Sequence, residues 1–197
     1  AARVAMSAAA SLGACGTLTG AAVGGAAGAA IGNNTGNGDA ESGAAIGAAW
    51  MGERPVVELQ FADFLSCPFD SIVTVAAKTH WRSGISLPVV VRAPFGGGVR
   101  GGPFHSQCPE SLYIHTPGWY VAYPSNAADA KGLMKTACRI DDPVIFFEHK
   151  GLMGTKAELP AGEIVDQLGT ATIVSEGTDV TLVAYGTMVQ TCLEAAE

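Results

Sequence analysis

Between residues 55 and 185, short apolar runs alternate with segments whose apolar residues recur at helical spacing. The runs predict five buried strands, at residues 55–61, 88–92, 119–123, 144–148 and 180–185. The intervening segments predict helices at residues 63–82, 109–114 and 126–139, with another from Thr187 onward. For the helix over 126–139 we expect Ser125 to be the N-cap. Strands that alternate with helices in this way predict an α/β fold, with a mainly parallel sheet and flanking helices.

A glycine-rich loop, FGGGVRGGP at residues 95–103, follows the second predicted strand. Ligands of open α/β sheets bind at the carboxyl ends of the strands, so this loop and the nearby His105 mark a candidate site. The loop lacks the G-x-x-x-x-G-K-[ST] phosphate cradle and does not open a helix in the G-x-G-x-x-G register. The residues by themselves therefore indicate an α/β domain with a glycine loop beside a histidine, and give no basis for a nucleotide site.

The first fifty residues have a different composition, with 11 glycines and 18 alanines. From Gly16 to Gly36 a glycine recurs at every fourth position, which on a helix gives one smooth face for close packing of another helix. The NNTGNGD run at 33–39 predicts a turn, with a second helix starting near Asp39. This segment resembles the glycine-zipper lipoproteins of bacterial envelopes, and the LGAC run makes Cys15 a candidate lipidated residue at the end of a signal peptide.

The rest of the chain carries a series of longer motifs in a fixed order. They are GAAIGAAWMGERPVVELQFADF (43–64), FDSIVTVAAK (69–78), PVVVRAPFGGG (88–98), HSQCPES (105–111), HTPG (115–118), PSNAADAKGLMKTA (124–137), DDPVIFFEHK (141–150) and GTDVTLVAYG (177–186). Their order and spacing resemble the β subunit of the thiamin-diphosphate-dependent 2-oxoacid dehydrogenases, whose substrates include pyruvate, branched-chain 2-oxoacids and acetoin. The QFADF run at residues 60–64 is slightly more similar to the branched-chain enzymes.

The resemblance implies a transketolase-like pyrimidine-binding domain at residues 39–178. Residues 179–197 would begin a C-terminal domain, and residues 1–38 would form the Ala/Gly-rich segment. The chain starts with Ala1 and stops within a predicted helix, so we expect it to be part of a longer protein. A join between two unrelated sequences near residues 43–49 is one hypothesis for the change in composition.

The resemblance also implies the cofactor and the partners. The β subunit of that family holds the aminopyrimidine ring of thiamin diphosphate, while an α subunit holds the diphosphate and its magnesium. We therefore expect an α2β2 heterotetramer that passes its acyl group to a lipoyl-bearing acyltransferase. No metal ligand is predicted in this chain itself.

Three positions correspond to functional residues of the family. His105 matches the active-site histidine, which orients and protonates the substrate carbonyl and assists acyl transfer. Phe64 matches an aromatic residue that contacts the aminopyrimidine ring. The family's cofactor-activating glutamate falls on Gly38 in ungapped register, and Glu41, three residues later, is the candidate substitute for catalysis and cofactor binding. Arg92 is expected to shape the loop behind His105, and Arg100 could meet a substrate carboxylate.

Charge and cysteine content narrow the function classes. A net charge of −7 argues against nucleic-acid binding, which requires a clustered basic face. Five scattered cysteines without a C-x-x-C pair argue against a zinc ribbon or a disulfide framework, and favour a reducing, cytoplasmic location. Two alternatives remain open: an envelope lipoprotein anchored in the membrane through Cys15, and a catalytically dead scaffold that binds the α subunit.

Overall fold

The computed structural model describes residues 4–7 and 40–197. Their strands form one parallel sheet in the order β1-β2-β3-β5-β4. The strands are β1 (Val4–Ser7), β2 (Arg54–Glu58), β3 (Val90–Phe95), β4 (Tyr120–Ala122) and β5 (Val144–His149). The predicted parallel α/β architecture is confirmed.

Helices cover both faces of this sheet. The α-helices of the described part of the chain are α1 (Ala40–Trp50), α2 (Ala77–Ser83), α3 (Glu110–Ile114), α4 (Ala127–Ala137) and α5 (Met188–Ala196). On one face, Ala137 of α4 packs with Val90 and Phe146, whereas Val91 and Phe147 pack on the other face with the segments after β2. Because neighbouring residues point to opposite faces, burial of both faces requires continuous apolar runs such as Val144 to Phe147.

The helix predicted over residues 63–82 is divided into three pieces. A 3₁₀ turn (Ala62–Ser66) is followed by Pro68, a π-helical stretch (Ser71–Ala76) and then α2. Proline has no backbone N–H and its ring clashes with the preceding turn, so a continuous helix cannot run through Pro68. Phe64 therefore lies in the 3₁₀ turn and not in a helix continuous with α2.

The strand predicted at residues 180–185 is not formed, and this expectation was wrong. A strand requires a hydrogen-bonded neighbour, and none in the described part of the chain pairs with this segment. Val180 and Val183 are 74% and 89% exposed. The helix predicted to follow it is present as α5.

Two observations concern the amino-terminal segment. Val4–Ser7, taken from the sequence as part of a leader, forms a strand that pairs with β2, and α1 begins at Ala40, as the predicted turn requires. The zipper glycines from Gly16 to Gly36, together with Cys15 and Gly38, lie outside the described residues.

Among the helices that are described, none combines the length and hydropathy needed to span a membrane. The division of the chain at residues 38 and 178 stays a prediction.

The cap of α4 differs by one residue from the expectation. Asn126, not Ser125, is the N-cap: its Oδ1 accepts hydrogen bonds from the backbone N–H groups of Ala128 and Asp129, both at 2.9 Å. Asp129 in turn accepts a hydrogen bond from the backbone N–H of Ser125. We expect Asn126→Ala to lower the free energy of unfolding by about 1 kcal/mol. In urea denaturation, Ser125→Ala is the matched control and should be near neutral, and equal losses in the two variants would contradict the assignment.

Candidate functional site

The carboxyl ends of β2, β3 and β5 meet at one edge of the sheet. The segment containing Phe61 and Phe64 follows β2, the glycine loop and His105 follow β3, and Lys150 follows β5. Parallel strands bring these three connections together although they are far apart in the chain. The edge is therefore the candidate site that the position of the glycine loop predicted.

His105 is held in a defined orientation at this edge. Its Nδ1 lies 3.1 Å from the carbonyl oxygen of Gly101. A carbonyl oxygen only accepts hydrogen bonds, so Nδ1 is the donor, and neutral His105 carries its proton there. Nε2 then has a lone pair for chemistry. Gly101 permits this approach because a Cβ at that position would be 2.8 Å from Cβ of His105.

Two phenylalanine rings flank the imidazole. The ring centroids of Phe61 and Phe64 lie 4.6 Å and 5.8 Å from that of His105, with interplanar angles of 76° and 89°. Phe64 is 37% exposed, so part of its ring remains open at the edge of the sheet. The structure thus brings together His105 and Phe64, the two residues selected by resemblance, and adds Phe61, which sequence reasoning missed.

Lys150 is a second residue that sequence reasoning missed. Its Nζ donates a hydrogen bond to the main-chain carbonyl of His105 and lies 4.8 Å from the centroid of the Phe61 ring. The signal that could have found it is its position directly after a buried strand, since side chains at such positions face the carboxyl edge.

Arg92 on β3 forms ion pairs with residues of the two neighbouring strands, β2 and β5. Its guanidinium bonds both carboxylate oxygens of Glu148, at 2.9 and 3.1 Å, and also contacts Glu58. Burial alone would lower the pKa of Arg92, but the hydrogen bonds and charges of Glu148 and Glu58 outweigh it and raise the pKa. Arg92 is therefore charged, and its ion pairs with Glu58 and Glu148 link the ends of β2, β3 and β5.

The glycine loop has two distinct parts. Gly96 has a φ of 90°, and a Cβ there would overlap Nε2 of His149. The other ring nitrogen of His149, Nδ1, accepts a hydrogen bond from the N–H of Gly151. Burial, assisted by the Lys150 charge, lowers the pKa of His149, so this histidine is neutral and structural. Farther along, Arg100 is exposed with a φ of 59°.

Glu41 is the second residue of α1, and its side chain lies outside the described part of the structure. Helix α1 packs on β2 and leads into it through a short turn, so the two run antiparallel. The first turn of α1 consequently lies towards the carboxyl ends of the strands, the same edge as His105 and Phe64.

A cavity of about 330 Å³ adjoins the phenylalanine segment and is lined in part by Asp63, Ser66, Asp70 and Gln107. Asp63 is buried; its Oδ1 accepts a hydrogen bond from the backbone N–H of Gln107 at 3.2 Å, and its Oδ2 has no partner among the described residues. Residues 40–197 contain no group of three or more His, Cys, Asp or Glu side chains arranged to bind a metal ion.

These residues fit an aminopyrimidine ring in one respect, because the partly open Phe64 ring offers an apolar surface for a flat heterocycle. Asp63, whose Oδ2 has no partner among the described residues, lines the neighbouring cavity, which does not include Phe61, Phe64 or His105.

The fold defines the class of protein first. The solved structure of "Split gene transketolase, inactive beta4 tetramer" superimposes with a TM-score of 0.64, covering 92% of this chain and 67% of that chain at 23% sequence identity. At that identity the similarity shows a common fold, that of a transketolase-like α/β domain.

The family follows from the sequence. The family model "Transketolase, pyrimidine binding domain" matches residues 39–156, and "Transketolase, C-terminal domain" matches residues 169–197. This chain belongs to the transketolase pyrimidine-binding-domain family.

Three curated relatives, each a β subunit of an oxidoreductase, are similar to this chain. The chain is 47% identical over 153 residues to the 2-oxoisovalerate dehydrogenase subunit beta of Bacillus subtilis, covering 76% of this chain and 47% of that protein. It is 46% identical over 151 residues to the acetoin:2,6-dichlorophenolindophenol oxidoreductase subunit beta of Cupriavidus necator, with 76% and 45% coverage. It is 40% identical over 149 residues to the pyruvate dehydrogenase E1 component subunit beta of Staphylococcus aureus, with 74% and 46% coverage. The chain spans about half the length of these relatives, and they give no support to the envelope-lipoprotein alternative.

Proposed function

We propose that this chain forms the aminopyrimidine half of a thiamin-diphosphate site in the β subunit of a 2-oxoacid dehydrogenase. The observation that carries the proposal is the arrangement of His105, oriented by Gly101 and flanked by Phe61 and Phe64 at the carboxyl edge of the sheet. The similarity to β subunits of branched-chain, acetoin and pyruvate enzymes supports the reaction class. The reaction is the oxidative decarboxylation of a 2-oxoacid, with transfer of the acyl group to lipoamide.

Thiamin diphosphate, when bound, supplies the carbon nucleophile and the electron sink for decarboxylation. In this chain Phe64 would pack against the aminopyrimidine ring, and Glu41 would accept a hydrogen bond from a ring nitrogen. The position of Glu41 in the first turn of α1, on the same edge as Phe64, supports this role. Magnesium and the diphosphate would be held mainly by the α subunit.

His105 would transfer a proton at the substrate carbonyl. With Nδ1–H committed to Gly101, only Nε2 is able to exchange a proton with a bound oxoacid. Imidazole suits this task because it both accepts and donates protons near neutral pH. The phenylalanine rings exclude water from one side of the imidazole, which strengthens its hydrogen bond to the substrate.

The proposal includes partners and a location. The chain would act in the cytoplasm within an α2β2 heterotetramer and deliver its product to a lipoyl-bearing acyltransferase. The competing alternative is a scaffold that binds the α subunit without catalysis, and turnover by the assembled complex distinguishes the two.

The test is co-expression with an α subunit of the branched-chain or pyruvate enzyme. Thiamin-diphosphate binding is measured by calorimetry, and decarboxylation of 2-oxoisovalerate and pyruvate is followed by release of CO₂. We expect Glu41→Gln to retain binding and to lose about 10²–10⁴-fold in rate, because an amide can still accept a hydrogen bond but lacks the carboxylate that exchanges a proton with the ring nitrogen. The exposed Glu176→Gln is the matched control.

Three results would be decisive. Absence of cofactor binding by the unmodified complex refutes the proposed function. Binding without turnover favours the scaffold. An unchanged rate in Glu41→Gln eliminates Glu41 as the activating acid and leaves the role of His105 to be decided by its own variant.

A further inference from the structure

The main chain from His105 to Gln107 is held from three directions. The ammonium of Lys150 donates to the carbonyl of His105, the N–H of Gln107 donates to Asp63, and the N–H of Gly96 donates to the carbonyl of Gln107 at 3.2 Å. The segment has no regular secondary structure beyond the short 3₁₀ turn Pro103–His105. Its conformation therefore depends on these contacts, which come from the connections after all three central strands.

Lys150 contacts the main chain of His105 directly and is linked to its side chain through the Phe61 ring. Besides its hydrogen bond to the carbonyl, it lies over the Phe61 ring, and that ring packs edge-on against the imidazole. A partly buried ammonium is costly unless its charge is compensated. The salt bridges among the described residues do not include Lys150, so a carbonyl dipole and an aromatic face provide the compensation.

Asp63 supports the same segment from the other side. Its Oδ1 fixes the N–H of Gln107, and Asp63 directly precedes Phe64 in the 3₁₀ turn Ala62–Ser66. This hydrogen bond links the loop that contains His105 to the 3₁₀ turn that contains Phe64. It therefore fixes the positions of the two site residues relative to each other.

We propose that Lys150 is a positioning residue for His105: through the His105 carbonyl and the Phe61 ring it holds the turn from Gly101 to His105 closed, which keeps the proton on Nδ1 and Nε2 available. Asp63 acts with it as the second support. This inference rests on the proposed function in taking His105 as the proton-transferring residue, but the orientation of the imidazole is measurable without catalysis.

The test uses the full chain with Lys150→Met, which keeps the linear stem and loses the charge and the donor. Imidazole ¹⁵N NMR reports the tautomer of His105, whose signals are assigned by their loss in His105→Gln. We expect the two nitrogen shifts in Lys150→Met to move towards each other as the Nδ1–H preference is lost. In the complex with the α subunit, kcat should fall about 10–100-fold while cofactor affinity is unchanged.

Two variants provide the matched comparison. Lys150→Arg keeps a charged donor and should restore the native tautomer and most of the rate, whereas exposed Lys156→Met should change neither. Should Lys150→Met fail to fold, Phe61→Leu removes the ring beneath the ammonium and is expected to give the same change in tautomer.

The outcomes separate this inference from the proposed function. A native tautomer and an unchanged kcat in Lys150→Met, with an inactive His105→Gln, overturn the role of Lys150 and leave the proposed function intact. Absence of cofactor binding by the unmodified complex refutes the proposed function, and a fully active His105→Gln removes His105 from its mechanism. In either case the NMR comparison still decides whether Lys150 orients His105.

Discussion

Replacement of His105 by glutamine lowers the rate of 2-oxoacid turnover by about 10²–10⁴-fold in the complex with the α subunit, the range expected for loss of a general acid–base group. Glutamine retains a donor that could reach the Gly101 carbonyl, but it cannot exchange a proton near neutral pH. Thiamin-diphosphate binding should be unchanged, because Phe64 and Glu41, the residues proposed to hold the cofactor, remain in place. The measurements are steady-state kinetics and calorimetric titration of the cofactor.

The matched control for this prediction is His115→Gln. His115 is exposed at the end of α3 and precedes the Pro117-Gly118 turn, on a different part of the domain. A comparable loss of rate in both variants would point to a general effect on folding. A normal rate in His105→Gln would remove His105 from the mechanism.

Replacement of Gly118 by alanine is expected to lower the free energy of unfolding by about 4 kcal/mol or more. Gly118 has a φ of 109°, and a Cβ there would overlap the backbone carbonyl oxygen of Ala77 at the start of α2. A backbone atom cannot move aside as a flexible side chain can. Two contacts fix the turn close to the preceding helical segments, from Lys78 to the carbonyl of Pro117 and from Trp119 to the carbonyl of Ile72.

Gly84→Ala is the matched control for this substitution. Gly84 also has a positive φ, 69°, but a Cβ there would meet no atom within 4 Å. Its expected loss is about 1–2 kcal/mol, the cost of the left-handed conformation alone. Urea denaturation gives both values. If the two variants lost the same free energy, overlap with Ala77 would not be the cause, and relaxation of the turn would have relieved it.

The accuracy of the sequence-based predictions depends on how local each feature is. The central strands β3 and β5 were predictable because a two-sided buried strand needs a continuous apolar run, which is visible in the sequence. The segment at 180–185 has the same apolar character and forms no strand, because strand formation also requires a paired neighbour. Pro68, by contrast, is a local signal in the sequence, and it breaks the helix that the apolar spacing predicts over residues 63–82.

The candidate site shows the same distinction. Resemblance to a family identified His105 and Phe64, and the structure brings their rings within 5.8 Å of each other. Phe61 has no distinguishing feature in the sequence, and Lys150 has only its position directly after a buried strand. Their significance comes from the strand order, which brings the ends of β2, β3 and β5 together.

By itself, the sequence determined the parallel α/β fold, the glycine loop at a strand end and the family to which the chain is similar. These depend on the periodicity and identity of residues close together in the chain. Only the tertiary structure decided the tautomer of His105, the engagement of Arg92 by two carboxylates, and the contact of Lys150 with a carbonyl 45 residues away. The physical reason is that hydrogen bonds and ion pairs act over a few ångströms. Which distant residues come that close is set by the packing of the whole sheet.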